Sequence, residues 1–283
     1  MATPVSTTTA SPLIGEDVAR LLIEPLEAAS VVLAAGPRVF DTSRPLNVPR
    51  LVSSTAPAFV AENAAIPEVE LTFDDVPLMP NGRKGIKSIS RISNESIRAS
   101  VLALDAVVQA RLVGDIARAL DVALFSGTGV GETITGLLKQ PGTLSAALSL
   151  TSYDSFFDAI GQWLAAEVDP TRGQWFINPA DWTKVRKLKD TSGQYLAQPD
   201  PTVAGRRSID GIPVTITSRT PVGTVALIDM SMVAVARDLA PSVQVLHELF
   251  AGFDQTGVKV TSRWDLGLLH PEAVLILKAP VTP

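Results

Sequence analysis

The chain has 283 residues, of which 46% are hydrophobic and 19% charged, with a formal net charge of −5. This composition suits one large or two modest folded domains and excludes a disordered chain. The acidic balance excludes a protein that grips nucleic acid through its overall charge, which needs concentrated Lys and Arg against phosphate. The absence of cysteine excludes disulfides, Cys-ligated zinc and thiol catalysis.

The opening stretch MATPVSTTTASPLIG has neither a basic residue nor an apolar core, so it does not read as a signal peptide. No run reaches the roughly eighteen apolar residues of a membrane span. This Thr/Ser/Pro-rich start is expected to be an extended arm ordered by a neighbour. Residues 16–27 suggest a short helix broken near Pro25, and residues 44–60, with three prolines, read as extended chain.

Residues 68–78 alternate, with Val69, Leu71 and Phe73 on one side and Glu70, Thr72 and Asp74 on the other, which is a strand signal. Pro80-Asn81-Gly82 is a turn signal, and residues 85–92 read as a strand running back. The predicted product is a two-stranded ribbon with Arg83 and Lys84 at its tip. A lone hairpin is marginally stable in water, so this one should lie on something else, with a neighbouring subunit the natural partner.

Residues 94–125 predict a long helix. Ser93 or Asn94 caps it, and Glu95 sits in the first turn, where the helix dipole favours an acid. Ile97, Val101, Leu104, Val108, Leu112, Ile116, Leu120 and Leu124 recur at helical spacing. Arg98, Asp105, Arg111, Asp115, Arg118 and Asp121 lie off that stripe. At 1.5 Å per residue this spine is roughly 45 Å long. Residues 139–250 then read as an α/β unit. It has a helix after Thr151 or Ser152, the buried strand GQWFI, and a helix capped by Asn178 with Pro179 at its first position. The strands GIPVTITS and TVALIDM follow. From Val243 to Leu277 the chain is mostly β.

The glycine-rich stretch FSGTGVGETITG, which includes Gly127, Gly129 and Gly131, lacks the strand before it and the helix after it that a dinucleotide fingerprint needs. It also lacks the Gly-Lys-Ser/Thr of a phosphate loop. It reads as a helix stop followed by a flexible loop. His247-Glu248 is not continued to a second histidine, since Ala251 stands there, and no GxSxG elbow exists. Asp74-Asp75 reads as a solvated pair, the four tryptophans as packing, and KVRKLK (184–189) as the solvated face of a helix. No catalytic, cofactor-binding or metal-binding constellation emerges.

In this order the elements resemble the major capsid proteins of tailed bacteriophages, the Hong Kong 97-type fold. The stretches that carry the likeness are AENAAIPEVELTFDDVPL with GIKSISRISNESIRAS, DIARALDVALFSGTG with ITGLL, WFINPADWTKVRKLKDTSGQYL, IDGIPVTIT, ALIDMSMVAVARD and VTSRWDLGLLHPEAVLIL. The resemblance implies an α+β fold with an N-terminal arm at 1–45 and an extended β-hairpin loop at 59–92. It implies a peripheral domain at 46–58, 93–138 and 251–283 with the spine helix, and an α/β axial domain at 139–250.

It further implies a structural protein rather than an enzyme, with no cofactor. This subunit would assemble in the bacterial host cytoplasm into hexamers and pentamers of an icosahedral virion capsid around double-stranded DNA. The implied partners are the chain itself, a separate scaffolding protein, a portal, a decoration protein and nonspecifically packaged DNA, with no membrane. Asp74, Asp75, Arg83, Lys84 and Lys87 are the expected inter-subunit contacts of the extended loop. Some family members join a ribbon lysine to an asparagine of another subunit. Lys84 and Lys87 are candidate donors here. The asparagines are Asn47, Asn63, Asn81, Asn94 and Asn178, none in the C-terminal β region, so no isopeptide bond is expected. Two other readings remain at this stage: the shell of a cellular nanocompartment (an encapsulin), and a soluble α/β enzyme holding a phosphorylated ligand at 127–136.

Overall fold

The computed structural model describes residues 30–54, 59–60, 71–79, 85–95, 104–189, 192–196, 207–246 and 248–280. The helix expected at 16–27, the arm before residue 30, the Pro80-Asn81-Gly82 turn, Arg83, Lys84 and His247 lie outside these residues.

In chain order the strands are β1 (Arg38–Asp41), β2 (Leu46–Ser54), β3 (Leu71–Leu78), β4 (Gly85–Ser93), β5 (Leu144–Ala147) and β6 (Gly173–Ile177). They continue with β7 (Ser208–Ile209), β8 (Ile212–Ile216), β9 (Thr224–Asp229), β10 (Val233–Leu246), β11 (Gln255–Leu268) and β12 (Val274–Lys278). The helices are α1 (Val31–Ala34), α2 (Leu104–Ser126), α3 (Asp154–Ala165) and α4 (Pro179–Arg186). The strands form a six-stranded sheet in the order β5-β12-β9-β6-β8-β7, a four-stranded sheet β1-β10-β11-β4, and a pair β2-β3.

The six-stranded sheet explains why TVALID and VLIL are apolar without alternation. Both faces of the sheet are covered, so every position is inside. Val225, Leu227, Leu275 and Leu277 point to the side of α3 and α4, with Trp175 and Ile177. Ala226, Ile228, Val274, Ile276 and Phe176 point to the opposite core, shared with α2. Phe156, Ala159, Ile160 and Trp163 form the inner face of α3. The cap of α3 falls later than expected: the chain enters the helix at Tyr153, and the Ser152 hydroxyl accepts the Asp154 N–H at 3.2 Å. Asn178 caps α4, accepting from the Ala180 N–H at 3.0 Å and donating to the Thr220 carbonyl at 2.7 Å. All four tryptophans are buried.

The spine helix α2 lays Ile116, Leu120 and Leu124 on the first core, with Val258, Val260, Trp264 and Leu266 of β11. Asp121 departs from the expectation of an outward position. It is buried, and its Oδ1 accepts the Ser30 hydroxyl at 2.6 Å and the Val32 N–H at 3.3 Å, while Oδ2 accepts the Val31 N–H at 3.0 Å. The orphan amides that open the single-turn helix α1 thus find their acceptor on a distant element.

The ribbon also differs. Strand β3 pairs with β2 rather than β4, with Val48 opposite Val76 and Arg50 opposite Asp74. Strand β4 pairs instead with β11, Lys87 opposite Thr261 and Arg91 opposite Gly257. The prolines of 44–60 concealed β2 from sequence reading. Pro49 is tolerated because a two-stranded ribbon consists of edges, where a missing N–H costs no ladder bond. In the sheets, β10 lies with β11 and β4, and β12 lies with the strands of 139–229.

Candidate functional site

The ribbon carries an exposed ion pair and is fastened at its root. Across the β2–β3 pair, Arg50 Nη2 donates to Asp74 Oδ2 at 2.6 Å, and the Asp75 N–H donates to Asp74 Oδ1 at 2.9 Å. The Arg50 hydrogen bond, helped by the Asp75 amide, holds the Asp74 carboxyl below the usual carboxylate range. Nearer the body, Val76, Leu78 and Met79 are buried against Ala234 and Ala236. A methyl placed on Gly267 would stand 2.7 Å from Val76 Cγ1 and 2.9 Å from Leu78 Cδ2, so only glycine lets the ribbon lie this close. Met79 takes a positive φ of 53°, and its N–H is held at 2.6 Å by the buried carboxylate of Asp265. A cleft of about 310 Å³ separates the ribbon root from the body, between Arg50 and Asp75 on one side and Gln140, Pro141 and Pro271 on the other.

Farther out the apolar side changes. Phe73, expected on the packing face, is 67% exposed, and Phe59 is fully exposed. The inward face is carried by Val76 and Leu78, of opposite parity to Phe73, because side chains alternate along a strand. Of the five expected contact residues, Asp74, Asp75 and Lys87 are described, and all three are exposed. Asp74 and Asp75 lie on the ribbon, and Lys87 lies on the edge strand of the four-stranded sheet. Beside Lys87, Ile89 is half exposed and Arg91 stacks on the Phe250 ring at 4.2 Å.

The glycine loop proves to be a closed, hydrogen-bonded structure. Thr128 and Thr135 form an antiparallel bridge, Gly129 N–H donates to Ile134 O at 3.2 Å, and Gly136 N–H donates to Gly127 O at 3.0 Å. Its glycines have two different duties. Gly129 and Gly131 adopt φ of 70° and 63° at the tip. At Gly127 a Cβ would lie 2.1 Å from the Ile134 oxygen, and at Gly136 one would lie 2.6 Å from the Phe125 carbonyl, so those two permit close backbone crossing. The loop amides of Gly129, Val130 and Gly136 are engaged by internal acceptors.

Among the described residues no group of three or more His, Cys, Asp or Glu is placed to hold a metal. No helix among them is long and apolar enough to cross a membrane. The anchors Asp265, Gly267 and Asp121 were invisible to sequence reading, because their partners lie 186, about 190 and 91 positions away.

The model of the phage capsid family matches residues 10–279. The major capsid protein of Enterobacteria phage HK97 is 24% identical over 279 residues, which is 93% of this chain and 70% of that protein. A solved structure from Mycobacterium phage Adephagia superposes with a TM-score of 0.71 at 17% identity, covering 90% of this chain and 91% of the other. The capsid of an empty GTA particle does so with a TM-score of 0.70 at 19% identity, covering 88% and 89%. The fold is the α+β fold of Hong Kong 97-type capsids.

Proposed function

The chain belongs to the phage capsid family, and from that premise we infer that it is a major capsid protein, the repeating subunit of a virion shell. The observation that carries this reading is the ribbon. Its root is clamped by Gly267, Leu78 and Asp265, while Phe73 and Phe59 are held out in water. A lone subunit gains nothing from a rigid arm with an apolar outer surface, whereas a lattice of identical subunits buries it against the next copy.

In this reading the subunits close into hexamers and pentamers, with the ribbon laid over the adjacent copy and Asp74, Asp75, Arg83, Lys84 and Lys87 at or near that contact. The unit built on the six-stranded sheet serves as the axial domain. The α2 helix with the four-stranded sheet serves as the peripheral domain. A separate scaffolding protein, a portal and a decoration protein complete the particle around double-stranded DNA. The subunit itself performs no catalysis in this role.

Negative-stain electron microscopy of the purified protein, alone and with a scaffold encoded beside it, tests the proposal. Closed shells or rings of five and six are expected. A monomer or dimer under every condition overturns it, and shells that carry an enzyme cargo in place of DNA redirect it to the nanocompartment.

A further inference from the structure

Helix α3 has two apolar faces and only one is used within the subunit. Phe156, Ala159, Ile160 and Trp163 face the core. Phe157 and Leu164, on another face, are 50% and 59% exposed, and between them Gly161 has open space where a side chain would be. Phe157, Gly161 and Leu164 are spaced i, i+4, i+7 and so form one stripe. Glycine inside a helix is unfavourable relative to alanine, and nothing in this subunit approaches Gly161 to justify it. The exposed Asp154 and Asp158 flank the stripe, and the helix carries no basic residue.

A second surface of the same unit has the opposite character. Helix α3 lies against β5 and β12, while α4 follows β6 and packs Trp182 and Val185 into the same core. There Lys184, Arg186, Lys187 and Lys189 are exposed, and Tyr195 and Leu196 are each 52% exposed. The side chains of Arg186 and Lys187 make no hydrogen bond or ion pair among the described residues, while the Lys187 N–H donates to the Lys184 carbonyl at 3.0 Å.

We propose that the stripe of α3, with its two aspartates, is the seat for the basic and apolar surface formed by residues 186–189 and 192–196 of a second copy of this chain. Acid meets base, the Phe157–Leu164 stripe meets Tyr195 and Leu196, and Gly161 leaves the gap into which the incoming side chain fits. The two patches are different surfaces of one unit, so the contact is head-to-tail, and it builds a ring where the rotation from copy to copy closes. The inference rests on the capsid reading and names the surface through which neighbours around one ring recognise each other.

Charge reversal with rescue tests it. Asp154→Lys with Asp158→Lys sets lysines against the basic surface, and shell or ring yield is expected to fall by about tenfold or more, a coupling of about 1.4 kcal/mol. Arg186→Glu with Lys187→Glu is expected to do the same. All four substitutions in one chain restore the attraction in reversed sense and are expected to restore assembly. Gly161→Leu removes an unfavourable helix residue and is expected to keep the subunit folded by circular dichroism while blocking assembly. Wild-type yield from either reversed pair, failure of the folded four-fold variant to assemble, or normal shells from Gly161→Leu each overturns the proposal while the capsid reading stands. A wild-type chain that never assembles overturns both.

Discussion

The carboxylate of Asp121, buried on the spine helix, accepts the hydroxyl of Ser30 at 2.6 Å across 91 positions of sequence. Ser30 in turn caps α1 by accepting the Leu33 N–H at 3.3 Å. One acid thereby ties the start of the described chain to the C-terminal part of the longest described helix. Asp121→Ala strands the Val31 and Val32 amides and the Ser30 hydroxyl. The expected loss is about 2–4 kcal/mol, because each buried donor left unpaired costs about 1–3 kcal/mol and water recovers part of it. Ser30→Ala removes the cap and one of the three donors to Asp121, leaves the Val31 and Val32 amides paired, and is expected to cost about 1–2 kcal/mol. Denaturant unfolding of the assembly-free subunit measures both. Equal effects of the two variants would contradict the assignment of Asp121 as the shared acceptor.

The glycine loop makes a contrast testable at two positions. At Gly136 a methyl group meets backbone atoms of Phe125 and Gly127 at 2.6 Å, which no side-chain rotation relieves. Gly136→Ala is expected to cost several kcal/mol, on the order of the larger overpacking penalties, and to move the end of α2. Gly131 has open space and a φ of 63°, so Gly131→Ala pays only the left-handed penalty of about 1–2 kcal/mol. Thermal unfolding of the two variants should rank them in that order.

The ribbon root predicts a local effect. Gly267→Ala drives a methyl into Val76 and Leu78 at 2.7–2.9 Å. The ribbon is expected to lift, while the six-stranded sheet, which does not touch Gly267, holds. Hydrogen exchange should accelerate at residues 46–54 and 71–79 and stay slow in β9 and β12. Acceleration spread evenly over the chain would show that the ribbon is not separately anchored.

The ribbon ion pair carries a pH dependence. Asp74 is held below its ordinary pKa by the Arg50 hydrogen bond and then by the Asp75 amide, and Asp41 is held down by its bond to Arg237. A depressed carboxylate stabilises the fold at pH above its unfolded value, near 4, and that contribution disappears as pH falls through the lower folded value. Both pairs are exposed and screened by salt, so the effect on global stability is small. Carboxyl-carbon NMR titration should find Asp74 titrating below the usual carboxylate range, and Arg50→Ala should return it to that range. An unchanged midpoint would remove Arg50 as the cause.

Periodicity and turn chemistry made much of this molecule legible from the sequence. The stripe Ile116, Leu120, Leu124 marked the spine helix because a helix repeats every 3.6 residues and a core needs one continuous face. TVALID and VLIL announced strands covered on both sides, and Asn178-Pro179 announced a helix start. The order of these local signals also carried the family resemblance.

Pairing was not legible. Strand β3 had β4 as its neighbour in sequence and joined β2, because Val76 and Leu78 settle on Ala234 and Ala236 and Met79 turns the chain away toward β11. Asp121 looked like a surface acid because its donors, at Ser30 and Val31, are brought to it only by the packing of α1 on α2. Gly136 looked like part of a flexible loop and Gly267 gave no signal, and each proved to be a place where two parts of the chain touch. The sequence by itself determined the spine helix, the helix at Asn178-Pro179 and the apolar strands of the six-stranded sheet, the absence of cysteine chemistry, and the family. Those properties depend on residue type and short-range spacing. Only the tertiary structure decided which strand lies beside which, which acid is buried, and which apolar faces remain open for another copy, because those depend on contacts between residues far apart in the chain.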